Sequence, residues 1–528
     1  MIRDATPEPR GSGVVGAAVL IGGAAVVLYL ATRQRGLEND GIHFVRMLDE
    51  GRDWMRHLLY LPAVRLVCAV LGLDAEAGMK ALSAIAGGAA VALAVPIGRR
   101  LSLTTGRAAT SATVLALLPG FWFHSTASEV HAFHAAATAV LLLGLLRWID
   151  PSAPFRGVPW LLLLGAALVP MTHSSGIAAA APVAVAAIAA PRGRRARGLV
   201  ALGVGAAAFL VLFRIGYAAE EDVRRTVDTL RANSLERLRR IDRLPESAAV
   251  LADALLVHAS PASVSAPAGL VVLWRRRRAA AATLLAWAVA LSLLVFPIHD
   301  RAHGSYHLPL YVATAALALV AWPVLVRRPV DAFVVVAAGL APVLLAPFGE
   351  GAQFAAGGAS AAAFAWRAGR AGSGAGPPPV GAWPLVVAAA LASVVRVGPE
   401  MRADPIRDRI AAVERAEADA AMILLLEPRL TDQLHWQRYH AGIAAGEAEL
   451  VNLLRLEFLP PEAARKVRGD YEFVVARHVA EGRTVLLVGD VATFGVGPQV
   501  TAFLAELRAR GGVEPVPTGI DDVRRFAD

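Results

Sequence analysis

The chain has 528 residues, 56% of them hydrophobic and only 18% charged, with a formal net charge of +9. An ordinary soluble domain carries about 25% charged residues, so the composition excludes a conventional soluble enzyme and points to a membrane protein. The excess of arginine is no sign of nucleic-acid binding, because the arginines sit in short loops between apolar runs, where membrane topology puts them; the single Cys68 excludes a disulfide framework and a cysteine-based metal site.

Apolar runs of about 20 residues match a bilayer core of about 30 Å. The first, 13–32, has no convincing small-residue cleavage site after it and reads as an uncleaved span. A polar stretch follows at 33–62, carrying Glu38, Asp40, His43, Asp49, Glu50, Asp53 and His57. The apolar segment 60–73 is short and contains Pro62 and Arg65, which predicts a re-entrant or interfacial helix. Further spans are predicted at 79–98, 108–123, 130–146, 158–169, 176–190, 199–217, 259–274, 279–297, 308–326, 330–348, 353–366 and 383–395. The loop 218–256 alternates charges around apolar positions and reads as amphipathic helix on the membrane surface. Residues 372–379 are a Gly/Pro-rich linker. After residue 398 the composition turns soluble, with strand-like runs at 421–426, 484–490 and 513–517 between helical patterns.

These features predict a polytopic α-helical membrane protein of about 12–13 transmembrane helices with a small C-terminal soluble α/β domain. The expected domains are a membrane domain, 1–397, with external loops 33–78 and 218–256, and an extracytoplasmic α/β domain, 398–528. With the N-terminus inside, every short arginine cluster falls on one face: Arg99, Arg100 and Arg107; Arg147 and Arg156; Arg192, Arg194, Arg195 and Arg197; the run 275–278; Arg327 and Arg328; Arg367 and Arg370. Ten of the 13 histidines belong to the membrane portion, at positions 43, 57, 124, 131, 134, 173, 258, 299, 303 and 307. All ten fall in or beside the opposite, external loops, which predicts that the external ends of several helices converge on a polar site.

Three stretches carry candidate chemistry. Asp40 lies just beyond the first span, where a carboxylate can act as a general base, as a ligand or simply as a helix cap. Glu129, His131 and His134 open a span after an aromatic turn, and ionisable residues at the edge of a bundle are functional candidates. The loop 299–311 brings Arg301, His303 and Tyr306; a guanidinium there suits a lipid phosphate. His57 and Tyr60 mark the dip toward the membrane, and His173 follows a Met-Thr turn. No zinc-protease-type spacing is present, and a divalent cation is left open. In the tail, Gly489, Asp490, Gly495 and Gly497 make only a loose glycine loop, and 431–440 is dense in hydrogen-bonding side chains.

The order of these motifs resembles the bacterial membrane family related to protein O-mannosyltransferases, within the GT-C glycosyltransferase superfamily, over roughly residues 13–320. The motifs are an Asp40-containing first loop, His57, Tyr60 and Pro62 in the dip, the Ser-Glu-Val-His turn at 128–131, the Met-Thr-His-Ser-Ser turn at 171–175, and an Arg301-containing loop running into a Tyr-rich span. Three departures stand out. His131 replaces the family's usual Tyr after Glu-Val, the dip keeps only part of a His-Pro-Pro-Gly-Tyr-Pro pattern, and Gly41, Ile42 and His43 follow Asp40 in place of Ser/Gly-Glu. The resemblance implies transfer of a sugar from a polyprenyl-phosphate carrier to a protein, lipid or glycan acceptor at the external face of the inner membrane, inverting, with a carboxylate base. Asp40 is the first candidate for that base and Glu129 the second. His57, Tyr60, His131, His173, Arg301, His303 and Tyr306 would bind substrate. Two other classes compete: a transporter or flippase, which places ionisable groups near the midplane on broken helices, and a non-catalytic envelope scaffold.

Overall fold

The computed structural model describes residues 12–36, 40–49, 51, 57–153, 159–216, 244–295, 305–345, 348, 350–371, 380–399, 420–426, 449–453, 456, 461–488, 498–510, 512–515 and 523–527. By their contacts the residues form two compact units, one of Met1–Gln34 with Met47–Arg402 and one of Arg35–Arg46 with Ala403–Asp528.

The first unit is a helical bundle. In chain order it contains α1 (Ser12–Ala31), α2 (Asp40–Asp49, which crosses the division between the units), α3 (Tyr60–Leu71), α4 (Ala75–Arg100), α5 (Thr105–Ala116), α6 (Pro119–Thr126), α7 (His131–Ile149), α8 (Trp160–Thr172), α9 (Ala180–Ala189) and α10 (Arg192–Gly216). The remaining helices are α11 (Leu244–Ala252), α12 (Ala266–Arg276), α13 (Arg278–Val295), α14 (Leu308–Leu325), α15 (Pro329–Leu344), α16 (Glu350–Arg370) and α17 (Trp383–Arg396). Among the described residues, six helices are long and apolar enough to cross a membrane: α1, α4, α7, α10, α13, and α14 with its leading turn. Six shorter apolar helices accompany them, among them α3, which has 12 residues. Burial separates an inner set from an outer one: 72% of the α4 span, 78% of α7 and 83% of α14 lie inside the protein, against 17% of α1 and 22% of α10.

Local chemistry explains the element ends. Asp74 caps α4 by accepting the Ala77 amide at 2.7 Å, and Glu76 at its start with Arg99 and Arg100 at its end complement the helix dipole. The apolar run 108–123 is not one helix. It breaks at Leu117 and Leu118, because Pro119 has no amide to continue α5 and instead opens α6. The run 259–274 is helical only from Ala266, and a single π-helical turn, Asp253–Val257, with further turns occupies the chain before it. Likewise the expected helix at 176–190 begins as a 3-10 segment, Ser174–Ala179.

Small residues let the inner helices approach closely. A Cβ on Gly22 of α1 would lie 2.8 Å from both the Ala92 Cβ and the Gly88 carbonyl oxygen of α4. The tightest crossing joins α12 to α14, where a Cβ on Gly269 would lie 1.9 Å from the Leu317 carbonyl oxygen. Backbone cannot rotate away as a side chain can, so Gly269→Ala must push two central helices apart. The expected cost is about 1–3 kcal/mol, read as a lowered thermal midpoint of the detergent-purified protein; an unchanged midpoint would refute this crossing.

The bundle has two chemically different ends. α7 begins at His131 and finishes at Ile149, a rise of about 28 Å at 1.5 Å per residue. Beyond its far end, Asp150 accepts from Arg100 at 3.0 Å, lies 3.6 Å from Arg277, and offers its carbonyl to Arg194 at 2.6 Å. Burial pushes the Asp150 carboxyl up, but the Ser152 hydroxyl and amide together with Arg277 and Arg100 outweigh it and hold the group below the usual carboxylate range. Arg275 donates to the carbonyls of Ala368, Gly369 and Ala371. The arginine clusters thus tie helix ends together at one end of α4 and α7, while the histidines gather at the other.

The second unit holds a five-stranded sheet of β1 (Ala420–Leu425), β2 (Glu449–Asn452), β3 (Thr484–Val488), β4 (Gly512–Pro515) and β5 (Val523–Ala527), in the order β2-β1-β3-β5-β4. β1 runs parallel to β2 and β3, and β5 antiparallel to β3 and β4. The helices α18 (Pro461–Ala480) and α19 (Pro498–Arg510) complete it. Met422, Leu424, Val485, Leu487, Phe503 and Leu507 form its core. The glycine loop at 489–497 and the polar segment 431–440 lie outside the described residues.

Candidate active site

The site is built where α6 stops. Pro119 starts that helix and Thr126 ends it, and the chain then turns through Ala127, Ser128, Glu129 and Val130 before α7 begins at His131. The turn is anchored from both sides. Gln34 donates its amide to the Thr126 carbonyl at 3.2 Å and its side chain to the Phe123 carbonyl at 3.0 Å, and Ser83 of α4 donates to the Glu129 carbonyl at 2.9 Å. The Glu129 side chain is thereby buried, only 6% exposed. His124 Nδ1–H donates to its Oε2 at 3.0 Å, and His131 Nε2 lies 3.8 Å from the same oxygen.

Around His131 stands a group of aromatic side chains from separate parts of the chain. The His57 ring stacks on His173 at 4.8 Å with 24° between planes. His173 also meets His131 at 5.5 Å, His134 at 5.3 Å and Tyr306 at 5.4 Å. His131 in turn meets Tyr306 at 5.2 Å and His124 at 5.3 Å. Tyr60, fully buried at the start of α3, has its ring 6.3 Å from Phe133.

Hydrogen-bond chemistry assigns the tautomers. The Thr172 hydroxyl donates to the Val169 carbonyl at 2.9 Å, so it accepts from His134 Nδ1–H at 2.8 Å. His57 Nδ1–H donates to the Thr172 carbonyl at 3.2 Å. His173 Nδ1 accepts from the Ser175 amide at 3.0 Å, which leaves the proton of the neutral ring on Nε2. The Met171–Ser175 turn therefore fixes three imidazoles at once, and the Leu59 amide, donating to the Met171 carbonyl at 3.2 Å, ties the dip to it.

Of the residues nominated from sequence, the structure brings together Glu129, His57, His131, His173 and Tyr306, with Tyr60 nearby. Asp40 opens α2, but its side chain lies outside the described residues, as do Arg301 and His303. His134, a candidate from the sequence, and His124, from the preceding turn, join the cluster; Lys80 was not nominated. Both histidines were visible beside external loops, but which of them meets a carboxylate is a matter of three-dimensional packing. Lys80 is buried on α4 and paired with Glu76 one turn away. The sequence signal for it was a lone lysine at the edge of an apolar run. A second acid–imidazole pair, Asp253 with His258 at 3.1 Å, lies on and after the π-helical turn.

Among the described residues, no three His, Cys, Asp or Glu side chains are disposed to hold a metal ion.

Two solved structures share the architecture along nearly the whole chain. ArnT from Cupriavidus metallidurans bound to undecaprenyl phosphate matches with a TM-score of 0.51 at 14% identity, over 97% of this chain and 97% of that one. Its apo state matches with a TM-score of 0.50 at 14% identity, over 98% of each chain. The chain shares the fold of ArnT, a GT-C-like helical architecture. A weaker likeness, with a TM-score of 0.47 at 14% identity over 97% of this chain and 74% of the other, is to the archaeal oligosaccharyltransferase AglB from Archaeoglobus fulgidus in complex with an inhibitory peptide and a dolichol-phosphate. No protein-family model matches the chain, and no curated protein matches it by sequence. The likeness establishes the GT-C fold and does not single out the branch related to protein O-mannosyltransferases.

Proposed function

We propose that the protein is an inner-membrane glycosyltransferase that moves a sugar from a polyprenyl-phosphate carrier to a hydroxyl of a protein, lipid or glycan acceptor at the extracytoplasmic face. The observation that carries this is a full-length GT-C fold, shared with a protein crystallised with undecaprenyl phosphate, in which a buried carboxylate and five imidazoles gather at the bundle end opposite the arginine clusters.

The chemistry suits such a site. A polyprenyl phosphate leaves readily, so a single inverting displacement at the anomeric carbon needs chiefly a base for the acceptor proton and neutralisation of the departing charge. Asp40 is the proposed base, on the strength of its place in the first loop. His57, His131, His173 and Tyr306 would meet substrate, and Arg301 and His303, nominated from sequence, would add charge at the phosphate. The α/β domain at 398–528 is proposed to lie on the same extracytoplasmic side.

The test is transfer by the full-length protein in nanodiscs, given a panel of sugars carried on polyprenyl phosphate and an extract of envelope acceptors. Labelled sugar is expected in a product that no longer partitions with the carrier. An active panel of control enzymes beside no transfer by this protein from any carrier would remove the proposal.

A further inference from the structure

Glu129 is a carboxylate buried beside two histidines. A carboxylate in a low-dielectric site needs compensating charge or several donors. His124 Nδ1–H donates to the Glu129 carboxylate, and a second imidazole, His131, approaches the same oxygen to 3.8 Å. His131 is also the more open of the three, 13% exposed against 0% for His124 and 6% for Glu129. With Nε2 turned to the carboxylate, its other nitrogen, Nδ1, makes no hydrogen bond among the described residues. The carboxylate stands behind the imidazole, and the imidazole faces the cluster.

Several elements bring groups to His131 among the described residues. Glu129 precedes it on its own turn and His134 follows one turn on. His124 comes from α6, His57 from the dip, His173 from the turn after α8, and Tyr306 from the segment before α14. Among the described residues, Glu129 is the carboxylate at the ring, and the others are imidazoles and a phenol.

We infer that His131 is a donor to the carrier phosphate, taking up a proton on Nδ1 when the phosphate arrives and holding it between that anion and the Glu129 carboxylate. This rests on the glycosyl-transfer proposal above for its place in a reaction, but not for its test. An imidazolium flanked by two anions is favoured where an imidazole among other imidazoles is not. In the reaction, the bond from the anomeric carbon to the phosphate oxygen breaks and its electron pair stays on that oxygen. His131 Nδ1–H donates to the same oxygen, while the acceptor's proton goes to the base. Glu129 acts through His131 and is a positioning residue; His124 holds Glu129 in place.

The experiment is isothermal titration of the full-length protein in nanodiscs with undecaprenyl phosphate, in two buffers of different ionisation enthalpy. It is run at about pH 8, where a phosphate monoester with a second pKa near 6 is already fully charged. Wild type is expected to take up about one proton per carrier bound. His131→Gln is expected to take up none and to bind about tenfold more weakly, and Glu129→Gln to lose most of the uptake. Thermal midpoints of the three proteins establish that the variants are folded, and nitrogen-labelled histidine spectra report the His131 tautomer without relying on any variant. Proton uptake by His131→Gln equal to wild type, absence of uptake or of carrier binding in wild type, or a resting Nδ1–H tautomer at His131 would each overturn the inference. Wild type that binds carrier with uptake but transfers no sugar would instead remove the transferase proposal and leave this one standing.

Discussion

Glutamine at position 129 is expected to lower sugar transfer by about 10²-fold, the size of loss that follows when stabilisation of the departing charge is weakened, while leaving the fold intact. Glutamine matches glutamate in shape, and its carbonyl oxygen can still accept from His124 Nδ1–H at the observed 3.0 Å. The Ser83 bond goes to the backbone carbonyl and survives the change. What disappears is the negative charge 3.8 Å from His131 Nε2. The deficit should therefore appear in carrier binding and in single-turnover transfer alike, with the thermal midpoint within a few degrees of wild type. Transfer at the wild-type rate would show that Glu129 is a buried structural anchor.

Asparagine at position 40 is expected to be at least as damaging to transfer, by about 10²–10⁴-fold, the contribution typical of a positioned general base, but with a different signature. A base for the acceptor hydroxyl does not touch the carrier. Asp40→Asn should bind undecaprenyl phosphate as wild type does and fail at the chemical step, whereas Glu129→Gln weakens both. Single-turnover rates and carrier affinities measured side by side separate the two carboxylates. If Asp40→Asn transferred normally, the base would have to be sought elsewhere, with Glu129 first.

Much of the bundle was legible in the sequence because the bilayer imposes its thickness on the chain. Runs of about 20 apolar residues have few alternatives to a helix, and the helices at 12–31, 75–100, 131–149, 278–295 and 308–325 stand close to where those runs predict them. Helix breaks were less legible. Pro119 and the turns at 258–265 lie inside runs whose average composition stays apolar, and only local backbone chemistry distinguishes a broken span from a continuous one.

The gathering of histidines could be anticipated for a similar reason. Arginine placement fixes the alternation of loops, and the histidines fall consistently in the other set. Their individual partners could not be anticipated. That His57 stacks on His173, that Thr172 serves two imidazoles at once, and that Glu129 turns toward His124 depend on helix rotation and on a 3-10 turn that no periodicity announces. Lys80 was passed over because one lysine barely changes the hydropathy of a 26-residue helix. Asp40, Arg301 and His303 remain nominations from the sequence, outside the described side chains.

One measurement bears most directly on the central claim that the Glu129 end of this GT-C bundle performs glycosyl transfer from a polyprenyl-phosphate carrier. Full-length wild type, Glu129→Gln and Asp40→Asn, each in nanodiscs, are given a polyprenyl-phosphate-linked sugar with its acceptor. Released polyprenyl phosphate and the anomeric configuration of the product are then followed together. The expected result is one polyprenyl phosphate per sugar transferred, an inverted anomeric centre, and loss of both signals in the two variants. A retained anomeric configuration, or equal release by all three proteins, would contradict it.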